Sequence, residues 1–255
     1  MLHNYQILNM KKIVPLLVNA FVIILFCSFS LPIDADPPVY KVVKLKRPMK
    51  IDANWDKREW KKVPELAIAN YMGQIPSFRP LTKAKMMYDS ENIYIIFKVL
   101  DNFVRLKTQG FNGKVFEDAC VEFFFAPDSD LPLSYFNLEM NAGGTALMGF
   151  HPDAKTTLML EPEDFEPVVV AHSMPENLEN EITEPVTWTV EYKLPISVLK
   201  KFSKVTNPAS GTIWKANFFK TSSRSSNPHY VTWSFVDNKT PQFHLPQFFG
   251  TLKFK

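Results

Sequence analysis

The chain has 255 residues, of which 46% are hydrophobic and 14% aromatic, and its formal net charge is +3 at pH 7. This near-neutral charge, without a basic patch interleaved with aromatic residues, argues against a nucleic-acid-binding protein. Twenty prolines against eight glycines are typical of short strands joined by rigid turns.

The first 35 residues have the character of a secretory leader. Lys11 and Lys12 precede an apolar run over residues 13–26, and small and turn-forming residues follow it, which is the order of a signal peptide. The run is shorter than the roughly 20 residues that a membrane-spanning helix requires. We therefore expect a leader over residues 1–35 and a secreted, periplasmic or cell-surface protein. Membrane attachment would require a retained leader or lipidation at Cys27, where the preceding residue is too bulky for the usual lipidation motif.

Residues 36–255 are predicted to form a single β-rich domain. Alternating apolar patterns predict strands at residues 40–45, 82–88, 93–100, 119–126, 134–141, 145–150, 156–160, 168–172, 187–194, 212–221, 230–235 and 250–254. A short helix is expected at 195–202, and a helical turn at 54–62 with Trp55 and Trp60 facing inward. About a dozen short strands separated by turns predict an all-β fold, namely an antiparallel, jelly-roll-like β-sandwich with one or two short helices.

The strand predicted at 119–126 has the most informative pattern in the chain. One of its faces is wholly apolar, whereas Glu122 lies between Cys120 and Phe124 on the other face, because side chains alternate across a strand. Burying an ionised carboxylate without partners is costly. Either a neighbouring group satisfies Glu122, or its face is a concave site that takes a polar ligand.

The segment 243–250 is rich in aromatic residues, contains a proline and lies outside the strand pattern. Phe243 in such a loop is either a plug beneath the loop or an exposed platform. A platform suits a sugar, because the axial C–H face of a pyranose is apolar and stacks on an aromatic ring. Both interpretations remain open at this point.

The sequence gives little support for a catalytic function. The chain has no Gly-x-Ser-x-Gly elbow, no His-Glu-x-x-His and no phosphate-binding glycine-rich loop. Glu122 and Glu139 are the best pair of carboxylates for a glycoside hydrolase, provided that both lie on one sheet face and flank a cleft. A hydrolase using this pair is therefore an alternative function.

An ordered set of motifs resembles a family 9 carbohydrate-binding module, in the family-9-like form found in secreted proteins of Bacteroidetes-type bacteria. The resemblance extends from about residue 51 to residue 254. Its motifs are Ile51-Asp52-Ala53 with Trp55 and Trp60, Thr82, Tyr88-Asp89, Ile93-Tyr94, Asp101, the segment from Phe116 to Glu122, Trp188 with Glu191, Leu194-Pro195, Trp214 with Asn217, Trp233, and Phe249-Gly250.

The resemblance implies a non-catalytic module that clamps a terminal sugar of a xylan- or glucan-type glycan between two aromatic rings and so supports polysaccharide breakdown. By the matching motifs, the two rings fall on Phe116 and Phe243 and the sugar-binding glutamate falls on Glu122. A family arginine falls near Asn137, so that contact is changed in this chain.

Asn137, Glu139 and His244 would complete the rim of the sugar site. The family resemblance also implies structural calcium, with Asp101 as the matching ligand, and we expect no other cofactor. The expected partner is an oligo- or polysaccharide, without nucleic acid, bound by a monomer. A haem-binding electron-transfer domain is a second alternative, because related sandwiches bind haem through Met and His and the chain has ten methionines. The third is a scaffold that only contacts partners.

Overall fold

The computed structural model describes residues 36–128 and 130–255, so the predicted leader lies outside the described residues. The strands in these ranges are β1 (Val39–Lys44), β2 (Leu66–Ile68), β3 (Asn70–Tyr71), β4 (Leu81–Tyr88), β5 (Asn92–Asp101), β6 (Cys120–Ala126), β7 (Tyr135–Asn141), β8 (Ala146–His151), β9 (Leu158–Met159), β10 (Val169–His172), β11 (Val186–Pro195), β12 (Ile213–Thr221), β13 (Tyr230–Thr232) and β14 (Gly250–Phe254). The short α-helices are α1 (Pro162–Phe165) and α2 (Ile196–Lys200), and single 3₁₀ turns occur at Val115–Glu117 and Pro246–Phe248. Among the described residues, every helix is too short or too polar to cross a bilayer.

The strands form two sheets that are joined through β1. The first sheet has the order β9-β8-β7-β6-β12-β14-β1, and the second has the order β1-β4-β5-β11-β10. The first half of β1 pairs with β14 and its last two residues pair with β4, in both cases in parallel. The other pairings between described strands are antiparallel. The predicted β-sandwich is therefore confirmed, and β1 is the exception to its antiparallel order.

The two sheets pack through the apolar face that the sequence pattern of β6 predicts. Phe123 stacks on Phe125 with ring centroids 4.4 Å apart, and it lies 4.8 Å from Phe218 of β12. Phe218 in turn meets Phe97 of the second sheet at 6.1 Å. Since alternate side chains of β6 point away from this core, Glu122 lies on the outer face of the first sheet.

The tryptophans behave as the patterns predict. Trp188 and Trp214 are fully buried in the core. Trp55 and Trp60 are also buried, although the segment that holds them forms a series of turns and not a helical segment. Trp60 Nε1 donates a hydrogen bond of 2.9 Å to Glu191 Oε1, which satisfies both groups away from water.

Two predicted strands are shorter than expected, because side chains take over the backbone hydrogen bonds. The strand predicted at 156–160 is reduced to β9, since the carboxylate of Asp153 accepts hydrogen bonds from the backbone N–H groups of Lys155 and Thr156. The strand predicted at 230–235 ends at β13, since Asn217 Oδ1 accepts a hydrogen bond from the backbone N–H of Ser234 at 2.8 Å.

Candidate functional site

A pocket of about 360 Å³ opens on the outer face of the first sheet. Its floor includes Glu122 of β6 and Glu139 of β7, which are directly opposite each other in the antiparallel register. Loops that follow β12 and β13, and the turn before β6, supply its walls. The lining residues are Phe116, Glu122, Glu139, Thr221, Ser223, Tyr230, Pro241, Gln242, Phe243 and His244.

Phe116 presents an aromatic ring at the pocket wall. It lies in the 3₁₀ turn before β6, where the preceding Val115 is fully buried and Phe116 remains 37% exposed. The backbone carbonyl of Phe116 accepts a hydrogen bond of 3.1 Å from Ser223 N–H, and the Glu117 carbonyl accepts one of 3.1 Å from Arg224 N–H. The turn is thereby fixed to the segment after β12, while the ring itself stays available to a ligand.

Asp118 anchors the same turn from below. Its buried carboxylate accepts hydrogen bonds from the backbone N–H groups of Lys107 and Thr108, the latter at 2.8 Å, and from Asn141 Nδ2 at 3.1 Å. It also pairs with Arg105. These hydrogen bonds connect the turn that holds Phe116 to the segment at Lys107 and Thr108 and to Asn141 at the end of β7.

Phe243 is both packed beneath its loop and part of the pocket wall, which are the two interpretations that the sequence leaves open. Its ring stacks on Phe219 of β12 with centroids 4.2 Å apart and meets Tyr230 at 6.0 Å. The residue is only 8% exposed, yet it lines the pocket. It therefore packs against the sheet and also contributes apolar surface to the pocket wall.

The two carboxyl groups on the pocket floor are almost completely withdrawn from water. Glu122 is 2% exposed and Glu139 is 4% exposed. Burial, and then the neighbouring Glu139, hold the pKa of Glu122 well above its ordinary value, although Lys220 acts in the opposite direction. Burial raises the pKa of Glu139 to about 7, against the effect of its hydrogen bond from Asn137.

Glu139 is held by a chain of polar side chains. Asn137 Nδ2 donates a hydrogen bond of 2.9 Å to Glu139 Oε1, and Asn137 Oδ1 is 2.9 Å from His151 Nε2. Since an amide oxygen can only accept, Nε2 of His151 carries the proton. Nδ1 of His151 then accepts from the Thr157 hydroxyl at 3.1 Å. Oε2 of Glu139 is buried and has no partner among the described residues.

Lys220 lies behind the floor and not in the pocket. In the register of β12 and β6, Phe219 is opposite Glu122, so the Lys220 side chain projects from the other sheet face. Its fully buried Nζ is 3.3 Å from Asp101 Oδ2, 2.7 Å from His229 Nε2 and 3.0 Å from the carbonyl oxygen of Thr221. Burial lowers the pKa of Lys220, and Asp101 works against this.

The family resemblance predicts that Asp101 is a calcium ligand, and in the structure this carboxylate faces Lys220. Burial alone would raise the pKa of Asp101, but Lys220, His229 and a backbone hydrogen bond from Asn102 together outweigh burial, so the pKa is lowered. The ammonium group of Lys220 therefore already balances this carboxylate. In the described part of the chain, no group of three His, Cys, Asp or Glu side chains is arranged to hold a metal ion. Asp101 and its neighbours do not fit a calcium site.

His244 forms the polar rim of the pocket. Its ring packs against Phe124 and His151, with centroids 4.9 Å and 5.0 Å away, and Nδ1 shares a hydrogen bond of 2.9 Å with the Tyr135 hydroxyl. Although one side of the residue is open to solvent, desolvation of the ring and the neighbouring His151 lower the pKa of His244 to about 4. Both effects favour the neutral form of the His244 ring.

The structure brings five of the six ligand-contact residues that the sequence nominates into one pocket: Phe116, Glu122, Glu139, Phe243 and His244. Asn137 is the exception, since it lies beneath Glu139 and positions that carboxylate. Sequence reasoning did not identify Thr221, Ser223, Tyr230, Pro241 and Gln242 as lining residues. They lie at the ends of the predicted strands at 212–221 and 230–235 or in the loops after them, and they come close to Glu122 only because β12 pairs with both β6 and β13.

The carboxyl pair does not have the arrangement of a two-sided hydrolase. Glu122 and Glu139 project from neighbouring strands into one floor, where directly opposed side chains have Cβ atoms about 4.5–5.5 Å apart. Retaining glycosidases have a similar separation of about 5–5.5 Å but place their carboxyl groups on both sides of the scissile bond. Glu122 and Glu139 lie side by side on one floor, where both carboxyl groups can form hydrogen bonds with a bound molecule.

The fold of the chain is similar to those of proteins of known structure. A candidate carbohydrate-binding protein from Bacteroides uniformis ATCC 8492 has 25% sequence identity and a TM-score of 0.78, over 86% of this chain and 100% of that chain. A carbohydrate binding module family 9 from Caldicellulosiruptor kristjanssonii in complex with cellotriose has 17% identity and a TM-score of 0.60, over 86% and 94%. A carbohydrate binding module family 9 from the same organism in complex with glucose has 16% identity and a TM-score of 0.60, over 86% of this chain and 96% of that chain.

No curated protein matches the chain. The family model for carbohydrate-binding family 9 matches residues 51–254, from the first tryptophan segment through β14. This match covers nearly all of the described residues and includes every element that builds the pocket. The chain therefore belongs to carbohydrate-binding family 9.

Proposed function

We propose that the pocket on the outer face of the first sheet binds a terminal sugar unit of a glucan- or xylan-type glycan. The observation that supports this most directly is the combination of an exposed aromatic ring, Phe116, with two carboxyl groups on the floor of one pocket of about 360 Å³. That volume lies in the range of small-molecule sites, roughly 300–1,000 Å³.

The roles of the lining residues follow from the chemistry of a pyranose. Phe116 and Phe243 would face the apolar C–H surface of the ring, and Glu122 and Glu139 would accept hydrogen bonds from its hydroxyl groups. Phe243 is supported from behind by Phe219, so its position is fixed before the ligand arrives. A preformed wall reduces the loss of side-chain entropy on binding.

In this proposal the protein is a secreted, periplasmic or cell-surface module. It binds polysaccharide, and separate enzymes degrade that polysaccharide. The solved family members in complex with cellotriose and with glucose support a β-linked glucan as the first ligand to try. The protein itself is expected to release no reducing sugar from a glycan panel.

The proposal is tested by calorimetric titration with glucose, xylose, cello- and xylo-oligosaccharides and their end-reduced forms. We expect binding of at least one series, and loss of that binding on end reduction if the terminal ring enters the pocket. Absence of heat with every glycan in the panel would contradict the proposal.

Phe116→Ala is the cleanest variant for this titration, because its ring is partly exposed and is not stacked in the core. Aromatic contacts contribute about 0.5–1.5 kcal/mol beyond area burial, and 1.4 kcal/mol is a tenfold change in affinity. We expect affinity to fall by up to about tenfold, with an unchanged unfolding midpoint. An unchanged affinity would remove Phe116 from the site.

A further inference from the structure

We propose that the preferred ligand of this pocket is an amino sugar, a sugar unit that carries a free, protonated amino group. The inference rests on the proposed carbohydrate-binding function and assigns a ligand class within it. It follows from the distribution of charge around Glu122 and Glu139, and from a carboxyl oxygen that has no hydrogen-bond partner in the described part of the chain.

Within residues 36–128 and 130–255, the pocket is lined by two carboxyl groups and by no cationic side chain. None of its lining residues is Lys or Arg. Arg105 pairs with Asp118 below the neighbouring turn, and Arg224 lies 3.9 Å from Glu117. The position that the family resemblance gives to an arginine is close to Asn137, which supplies a neutral amide to Glu139.

The nearest buried cation cannot take this role. Lys220 projects from the opposite face of the sheet and is held by Asp101 and His229. Its charge lies behind the floor, so it moderates the repulsion between the carboxyl groups without donating a hydrogen bond to either of them. The face of the floor that meets a ligand is therefore acidic.

The geometry also provides acceptors without donors. Oε2 of Glu139 is buried and has no hydrogen-bond partner among the described residues, while Oε1 already accepts from Asn137. Glu122 is opposite Glu139 in the ladder, and no described residue donates a hydrogen bond to it. Glu139 lines the pocket, so a ligand bound there can supply the missing donor.

An ammonium group suits these acceptors better than hydroxyl groups do. Two hydroxyl groups of a neutral sugar could supply hydrogen bonds to the two carboxyl groups, but they bring no positive charge that would allow these groups to ionise side by side. An ammonium group has three donors and also supplies the opposite charge. Charge-assisted hydrogen bonds are roughly twice as strong as neutral ones, and they gain further strength away from bulk water.

The experiment compares three monosaccharides by calorimetry at about pH 7, and then their short β-1,4-linked oligomers. Glucosamine carries the amine, glucose has a hydroxyl group at the same position, and N-acetylglucosamine has the nitrogen without the charge. We expect glucosamine to bind about tenfold or more tightly than either neutral sugar. Equal affinities for glucosamine and glucose would overturn this inference and leave the proposed function intact. Absence of binding by all three, and by their oligomers, would overturn this inference, whereas the proposed function is overturned only when xylose and xylo-oligosaccharides also fail to bind.

Glu139→Gln tests the assignment to this carboxylate, since the amide keeps the shape and removes the charge. We expect the ratio of glucosamine to glucose affinity to fall at least severalfold in this variant. Glu163→Gln, at an exposed position in α1, is the matched control and should leave the ratio unchanged. A preference for glucosamine that survives Glu139→Gln would show that Glu139 does not recognise the amine.

Discussion

Lys220 and Asp101 place opposite charges in the interior, on the side of the first sheet that faces the core. Both side chains are fully buried, and Asp101 Oδ2 and Lys220 Nζ are 3.3 Å apart. This separation exceeds the usual hydrogen-bond range of about 2.7–3.2 Å, so the contact is chiefly ionic. The sequence placed Asp101 at a possible metal site, whereas the fold supplies a lysine from a strand more than a hundred residues away.

Removing the positive charge of Lys220 is expected to lower the free energy of unfolding. Lys220→Met leaves Asp101 buried without its partner, and breaking one side of a buried ion pair typically costs about 3–5 kcal/mol. Urea unfolding measures the change in the free energy of unfolding. Lys204→Met is the control, because Lys204 is 66% exposed in its ion pairs and should cost less than about 1 kcal/mol. A loss below about 1 kcal/mol for Lys220→Met would contradict the account.

Glu139 is expected to make folding stability depend on pH. Burial raises its pKa from 4.5 to about 7 in the folded state, so the protonated form is favoured by folding. The stabilising contribution is fully present below about pH 4.5 and is lost as the pH rises through about 7, a change on the order of 3 kcal/mol.

The pH effect is measured as a difference between wild type and Glu139→Gln in urea unfolding. The difference is needed because burial lowers the pKa of His229 to about 3, and that group destabilises the fold as the pH falls below its ordinary range. We expect the stability of the variant relative to wild type to rise between about pH 4.5 and about pH 7, which is the window of the shift. A constant difference would show that Glu139 keeps an ordinary pKa.

At the scale of elements, β14 and β1 join the two sheets through an unusually close backbone contact. A Cβ atom at Gly250 would lie 2.6 Å from Trp233 Cζ3 and 2.8 Å from the carbonyl oxygen of Pro38. That carbonyl accepts a hydrogen bond of 2.9 Å from Thr251 N–H. Glycine at this position lets the entry to β1 lie directly against β14.

Gly250→Ala is therefore expected to push Trp233 and the entry to β1 away from β14. Overpacking of this kind typically costs about 1–3 kcal/mol, and thermal or urea unfolding would detect it. Lys253→Ala, at an exposed position of the same strand, should change stability by less than about 0.5 kcal/mol. Equal effects of the two substitutions would show that the close contact is unimportant.

At the scale of the whole molecule, the sequence predicts most strands and the apolar face of β6, because alternation is a local signal. The same alternation identifies Glu122 as a carboxyl group on an otherwise apolar face of the strand. It does not show that Glu139 lies directly opposite, because strand register is a property of paired chains. It also misses α1, where Glu161 and Asp164 form a capping box around the first turn, and it misses the pairing of β1 with both sheets.

The pocket shows the same division between local and long-range information. Phe116 and Phe243 were identified through motif resemblance, although they are more than a hundred residues apart. Tyr230 and Thr221 had no distinguishing local pattern, and they reach the pocket only because β12 pairs with β6 and β13. The sequence therefore predicts which kinds of side chain the site contains, and the long-range pairing of strands brings these side chains together.

The central claim is that this family 9 fold binds sugar on the outer face of its first sheet. The most direct test is a crystal structure of the protein with a cello-oligosaccharide, or with its amino-sugar counterpart. The account predicts a sugar ring against Phe116, with ligand donors within hydrogen-bond distance of Glu122 and Glu139. A sugar bound elsewhere, for example in the separate pocket of about 320 Å³ beside Phe111 and Phe165, with this pocket empty, would contradict it.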